Sequence, residues 1–315
     1  MANEFLKPQV IAATALGLLE RDIVLPGLVW RDAVADWTGN QGDTVSIRVP
    51  ARTKARRRAL RAEPAPIVAD RLRETKVDVS LAQQVYSAVD VTDAELTLDI
   101  TDFGAQVLAP QVRAIAEDIE NQVAEAMSAA PYVTTLTLDV AKPDSTFVDA
   151  RQALNAESVP VADRVAVVGT DVEAAILKAD VLTNADQAGD NTALRDAEIG
   201  RLRGVPVVLS TAIDPGTAYV FHRTAFVLGL RAPVVPDGAT FGQSQSYADL
   251  AMTWLRDYSS DYLRDRSVVH TFTGVNHVLD APPNDPAADP SRFVRAVKIT
   301  MPTAPASAAV ARKSR

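Results

Sequence analysis

The residues of this chain best suited to chemistry are its three histidines, the serines near apolar runs and one strand–turn–helix glycine, and none has the neighbours that chemistry needs. His222, His270 and His277 are not spaced four apart, the helical interval that puts two imidazoles on one metal. His270 and His277 fall in extended sequence and share a face only through a turn at Gly274, so structural roles are expected. Ser210 lacks the tight glycine-flanked turn that presents a nucleophilic hydroxyl. Residues 165–171, VAVVGTD, describe a strand, a turn and a helix, but carry one glycine where dinucleotide fingerprints need three, and no Walker lysine follows. Thr170 or Asp171 is expected to cap that helix. With no cysteine, the chain has no disulfide, no thiol catalysis and no thiolate metal site, which fits folding in a reducing cytoplasm. We therefore expect no catalytic, cofactor-binding or metal-binding residues. A soluble α/β enzyme stands as a distant alternative, which requires a ligand pocket and a small discrete oligomer.

The elements that would position such residues point to association. Val45, Ile47 and Val49 occupy one face of an alternating run that begins at Thr44. On the return, Val77, Val79, Leu81, Val85, Val89 and Val91 hold odd positions, while Asp78, Ser80, Gln84 and Asp90 hold even ones, the period of a half-buried strand. Residues 44–92 are thus expected to form one long β-ribbon whose return arm reaches about 50 Å at ~3.3 Å per residue. A two-stranded ribbon is marginal alone, so its apolar face is expected to lie partly on its own domain and partly on another subunit. Asn40, Gln41, Gly42 and Asp43 turn the chain into it, and Pro50, Pro64 and Pro66 make its tip a loop.

Before the ribbon, Val10, Ile11, Ala15, Leu18 and Leu19 recur at helical spacing over residues 8–22, an amphipathic arm broken by Pro26 and Gly27. After it, residues 102–130 carry Leu108, Val112, Ile115, Ile119, Val123 and Met127 on one stripe and Glu117, Asp118, Asn121 and Glu125 opposite. This predicts a helix about 40 Å long, started or kinked at Pro110. Residues 143–236 alternate short elements: helix 146–156, strand 164–168, helix 172–178, a polar loop 184–191, strand 205–209, then 219–230 starting extended and ending helical. Residues 250–279 open as helix or strand and continue extended, with 268–272 a strand. Pro282, Pro283, Pro286 and Pro290 form a stiff connector before a last strand at 293–299, and residues 304–315 are expected to be disordered.

At 47% apolar content the 315 residues can form a substantial core, and no run approaches the roughly 20 apolar residues of a membrane span. The first nine residues lack the features of a signal peptide. The formal charge of -8 opposes general nucleic-acid binding, although the ribbon tip is strongly basic.

The order of helical arm, ribbon, acidic-faced helix, α/β middle and late strands resembles the tailed-phage major capsid proteins of the Hong Kong 97 fold, in their phage coat protein subgroup. The local residues are similar to that subgroup: 5–12 (FLKPQVIA), 42–50 (GDTVSIRVP), 95–100 (ELTLDI), 204–208 (GVPVV), 218–225 (AYVFHRTA), then 256–258 (RDY) and 274–275 (GV). No single motif is specific; order and spacing carry the likeness over nearly the whole chain. The resemblance implies an α+β fold: an N-terminal arm at 1–40, an extended β-hairpin loop at 41–84, a peripheral domain with the spine helix at 85–132 and 244–272, an α/β axial domain at 133–243 and 273–303, and a flexible tail at 304–315. It implies a shell protein of the virion, self-associating as hexamers and pentamers into an icosahedral head around double-stranded DNA, assembled in the host cytoplasm. A separate scaffolding protein, since no long region precedes the arm, and a portal are implied partners, with a decoration protein as a further one. Some members of the fold link a ribbon lysine to a neighbour's asparagine, which singles out Lys54 and Lys76, but no partner asparagine or activating acid is evident. An encapsulin-type compartment of the same fold, enclosing protein cargo, is the principal alternative.

The tip carries Arg52, Lys54, Arg56, Arg57, Arg58, Arg61, Arg71, Arg73 and Lys76 against Glu63, Asp70 and Glu74. Three uses compete: contact with the acidic spine face of a neighbour (Glu117, Asp118, Asn121, Glu125), contact with DNA phosphates, or a solvated loop. The first is favoured because no aromatic residues interleave the arginines and the rest of the chain is acidic. Packing by Val45, Ile47, Val49, Val77, Val79 and Leu81 is expected to supply most of the subunit-contact energy, and the charges its register.

Overall fold

The structure, a computed structural model, describes residues 24–31, 44–49, 55–57, 67, 69, 75–100, 102–179, 200–247, 250–280 and 293–302. The expected arm at 8–22, the turn at 40–43, the tip prolines, the loop at 184–191, the connector prolines and the tail at 304–315 lie outside the described residues. In chain order come α1 (Leu25–Leu28), β1 (Thr44–Val49), β2 (Thr75–Ser80), β3 (Gln83–Thr92), α2 (Ala109–Ala129), β4 (Thr135–Thr137), α3 (Pro143–Ala156), β5 (Arg164–Val168) and α4 (Thr170–Lys178). There follow β6 (Arg201–Leu202), β7 (Val205–Leu209), β8 (Thr217–His222), β9 (Phe226–Arg231), β10 (Phe241–Tyr247), β11 (Leu250–Ser259) and β12 (Arg264–His277). The last strands are β13 (Leu279–Asp280), β14 (Phe293–Val294) and β15 (Ala296–Thr300). The chain divides into two units, Met1–Pro131 with His222–Arg295 and Tyr132–Phe221 with Ala296–Arg315.

The first unit is built on β12, whose 14 residues give it room for three antiparallel neighbours. β3 runs along one edge from Arg264↔Thr92 to Thr273↔Gln83, while β11 and then β9 follow one another along the other, and β10 pairs with β11. Helix α2 covers one face of this sheet. Its apolar stripe, Val112, Ile115, Ile119, Val123 and Met127, is buried as the helical spacing predicts. Pro110 sits in the first turn, where its missing N–H costs nothing, and a π-helical turn at Gly104–Leu108 leads into it. After β3, Thr92 and Glu95 form a reciprocal cap: the Glu95 carboxylate accepts from the Thr92 N–H at 2.8 Å, and the Thr92 hydroxyl accepts from the Glu95 N–H at 3.3 Å. The Thr92 N–H, then the Thr92 hydroxyl, which also donates at 2.8 Å, hold the Glu95 carboxyl below its ordinary pKa.

The second unit holds a six-stranded mixed sheet in the order β4-β15-β8-β5-β7-β6. Helix α3 buries Phe147, Ala150 and Leu154, and α4 buries Val172 and Ile176. Arg203 and Gly204 both have positive φ, 50° and 83°, forming the two-residue turn that closes the β6–β7 hairpin. Buried Arg164 donates to the Asn155 Oδ1 and to the carbonyls of Val159 and Pro160, tying off the end of α3. Its burial, more than the nearby Arg151, lowers its pKa.

Several sequence expectations are corrected. The return arm is two strands rather than one: β2 pairs β1, the chain breaks at Leu81 and Ala82, and β3 joins the five-stranded sheet. Residues 226–231 form a strand, because β12 extends far enough to pair with them, instead of a helical end. Residues 250–259 take the strand alternative throughout, as the sequence reading allowed, whereas the last strand is split at Arg295. Pro26 lies in the first turn of α1; the arm helix it was expected to end lies outside the described residues. The cap of α4 is Gly169, with no side-chain bond, in place of Thr170 or Asp171. No turn occurs at Gly274, since β12 runs straight through it; His270 and His277, seven positions apart, are on opposite faces. Residues 222–243 and 273–295 group with the first unit, whereas the sequence reading grouped 222–243 and 273–303 with the α/β middle.

Candidate assembly surface

The turn at residues 165–171, Ser210 and His222, first considered for chemistry, are occupied structurally. The Asp171 and Val172 amides, which a phosphate at the start of α4 would need, donate instead to the Pro215 carbonyl at 3.0 and 3.4 Å. A Cβ at Gly169 would come within 2.8 Å of the Pro215 carbonyl carbon, so the glycine serves a close backbone approach. Ser210 is buried, and its hydroxyl accepts from the Ala212 N–H at 3.2 Å. His222 Nδ1 lies 2.9 Å from the Thr224 hydroxyl, whose oxygen also accepts from Arg295 at 2.6 Å. Arg295 completes a two-pronged pair with buried Asp280. Among the described residues no group of three His, Asp or Glu is placed to hold a metal, and no helix is long and apolar enough to cross a membrane.

What remains is surface geometry. Helix α2 presents Glu117, Asp118, Asn121 and Glu125 to solvent, opposite its buried stripe, so the expected acidic face is assembled as the spacing requires. Arg113 pairs with Glu117 at 3.3 Å, and Gln122 donates to Asp118 at 2.7 Å. Between these flanks Glu120 points elsewhere, accepting from the Val24 and Leu25 amides at 3.0 and 3.2 Å and so capping α1.

The ribbon pairs Thr44↔Ser80 through Val49↔Thr75, which places Val45, Ile47, Val49 and Val77 in its two arms. Arg56 and Arg57, the described basic residues of the tip, are exposed. Arg52, Lys54, Arg58, Arg61, Arg71 and Arg73 lie outside the described residues. Lys76 pairs with Asp78 at 3.0 Å. One expectation is corrected here: Val79 is 2% exposed within its own chain and has no surface left for a neighbour, while Leu81 is half-buried. The reason is the base of the ribbon, where β2 lies against β12 and β9.

Two positions hold this frame, one that the sequence reading missed and one that it considered only as a turn. Gln111, 1% exposed within the helix stripe, donates to the Ser87 and Ser267 carbonyls at 3.0 Å each and accepts from the Ser267 hydroxyl at 2.8 Å. Trp254 in turn donates to that hydroxyl at 2.9 Å. Gly274 is the second: a Cβ there would overlap the Ser80 carbonyl and lie 3.3 Å from the Leu81 Cα. The signal for Gln111 was its place on the buried stripe one residue before Val112. Nothing local marks Gly274, whose partner is some 190 positions away.

A two-stranded ribbon joined to a helix-backed five-stranded sheet in one unit, with a mixed α/β sheet in the other, is the architecture of the Hong Kong 97-like fold. The chain belongs to the phage capsid protein family, whose model matches residues 76–271. Among solved structures, it is similar to a chain from Mycobacterium phage Che8 at 20% identity and TM-score 0.64, covering 88% of this chain and 90% of that one. It is similar to the mature capsid of bacteriophage PhiM1 at 12% identity and TM-score 0.57, covering 88% of each. A virus-like particle from Pyrococcus furiosus aligns at 12% identity and TM-score 0.52 over 92% of this chain and 98% of that one. No curated protein matches the chain. It is a major capsid protein, a structural component of the virion shell.

Proposed function

We propose that each subunit offers its ribbon tip to the acidic face of α2 on a neighbour, and that this contact, repeated through hexamers and pentamers, closes an icosahedral head around double-stranded DNA. The observation that carries this is the placement of Glu117, Asp118, Asn121 and Glu125 on one exposed helix face, complementary to exposed Arg56 and Arg57. Each exposed pair contributes only about 0–1 kcal/mol, so charge sets register while buried ribbon surface sets strength. Many modest contacts then make a stable closed shell. The same tip meets DNA phosphates less well, because the capsid must release its genome and the chain is acidic overall. On this reading a scaffolding protein guides closure in the host cytoplasm, a portal occupies one vertex, decoration proteins bind outside, and DNA is held without reading its sequence. On this reading the arm (1–40) and the extended loop (41–84) keep the boundaries given above, the rest of the first unit is the peripheral domain, and the second unit is the axial domain.

Electron microscopy of the expressed chain with a scaffolding partner tests this. Deleting residues 52–75 should leave a folded subunit that closes no shells. Arg56→Glu with Arg57→Glu should cut shell yield by more than about tenfold, and Glu117→Arg with Glu125→Arg in the same chain should restore part of it. Normal shells from the deletion would refute the role given to the tip.

A further inference from the structure

The ribbon base and the acidic helix face are joined by one short chain of contacts within the first unit. β3 ends its pairing with β12 at Thr273↔Gln83, and at the next residue, Gly274, the ribbon base crosses the strand. The crossing is possible only because position 274 has no side chain, since the Ser80 carbonyl carbon lies 2.8 Å from where a Cβ would stand. Two residues further, Asn276 Nδ2 donates to the Asp78 carbonyl at 2.8 Å, clasping the first turn of the ribbon. From the same stretch of β12, the fully buried Thr273 hydroxyl donates to Gln122 Oε1 at 2.8 Å. The other end of that amide donates to Asp118 at 2.7 Å. Gln122 therefore satisfies Thr273 and Asp118 in a single orientation, which a carboxylate cannot do because it has no hydrogen to donate. A groove lined by Ser80, Gln83, Gln122, Glu125 and Thr273 runs between the two ends of this chain.

We propose that Gly274, Asn276, Thr273 and Gln122 form a strut that fixes the angle between the outgoing ribbon and the acidic face, and thereby sets the curvature of the shell. The inference rests on the donor-and-acceptor reading above. When the surface a subunit gives differs from the one it receives, the rotation relating successive subunits follows from the angle between the two surfaces. A small error in that angle is repeated at every contact, so it alters shell diameter and closure well before it abolishes association. These are positioning residues: none needs to touch the neighbouring subunit.

Asn276→Ala, Thr273→Val, Gln122→Met and Gly274→Ala, assembled with the scaffolding partner, test the strut. Thr273→Val and Asn276→Ala should keep the thermal midpoint of the subunit and at least half the assembled mass, but broaden the diameter distribution and yield open sheets or tubes. Hydrogen exchange should quicken at least tenfold in peptide 75–82 and stay unchanged in peptide 85–92, a difference that general destabilisation would not produce. Gly274→Ala should show the largest change; if it fails to fold, the Asn276 and Thr273 variants decide. Uniform particles of normal diameter with unchanged exchange from those two would overturn the strut. Deletion of residues 52–75 separates the two ideas: normal shells from it sink the ribbon reading, whereas blocked closure with normal strut variants sinks this inference alone.

Discussion

The five-stranded sheet with its helix and the two-stranded ribbon share the continuous stretch of residues 75–92, yet they are stabilised differently. In the sheet, α2 closes one face and Gln111 bonds to β3 and β12 at once. In the ribbon, the arms bond to each other, and the described anchoring is at the base, on Gly274 and Asn276. A two-stranded ribbon gains little from backbone pairing alone. The difference teaches that residues 75–92 serve two purposes: up to Ser80 they build the ribbon, which we propose seats on a neighbour, and from Gln83 they build the sheet of the subunit.

The first way to break that contrast is to attack the closed region. Gln111→Ala opens a cavity and leaves the Ser87 and Ser267 groups without their partner, so it should cost about 2–4 kcal/mol of subunit stability, read by denaturant unfolding. A loss below ~1 kcal/mol would mean that the sheet does not depend on this network. Val79→Ala sharpens the boundary. Because Val79 is buried in its own chain, its truncation should cost about 1–2 kcal/mol in the isolated subunit. If the cost appears only in assembled particles, the base belongs functionally to the neighbour after all.

Much of this was legible in sequence. The odd-position alternation is partly right for β3, where Val91 is buried, Val85 half-buried and Gln84 and Asp90 exposed, because strand period is a local property; Val89, on the same odd face, is 37% exposed. The helix stripe and the acidic face follow from 3.6-residue spacing in the same way. Partner choice is not local. Nothing in residues 77–91 reports that the partner changes at Leu81, since the cause is a glycine at 274. Residues 226–231 read as helical for a similar reason: their strand exists because β12 is long enough to receive it. The Thr92–Glu95 cap was an available signal, a threonine followed three positions later by glutamate. Of the candidate surface, the acidic half was readable by spacing, whereas the basic half was readable only as composition, because a loop has no period to fix where its arginines point.

The smallest effect expected separates the histidines from the surface ion pairs. Burial holds the pKa of His270 and His277 below the usual imidazole value, while in the unfolded chain they titrate near 6.5. His270 is 6% exposed with no hydrogen-bond partner on Nδ1, and the charged groups on its side of the sheet include Arg266 and Asp90 in the same pocket, then Arg264 and Asp257 further along. As pH falls through about 6.5 the unfolded chain takes up protons that the folded chain refuses, so stability declines until the folded pKa is passed and then levels off. Asp90 works in a lower window: the Arg266 guanidinium holds its carboxyl below the ordinary 3.8, so that pair's stabilisation is present above that value and fades as pH drops through the folded pKa. Thermal midpoints measured from pH 8 to 5 should therefore slope downward in the wild type, and His270→Gln with His277→Gln should flatten the slope. An unchanged slope in the double variant would place the acid sensitivity elsewhere, and a slope that appears only below pH 4 would assign it to carboxylates such as Asp90.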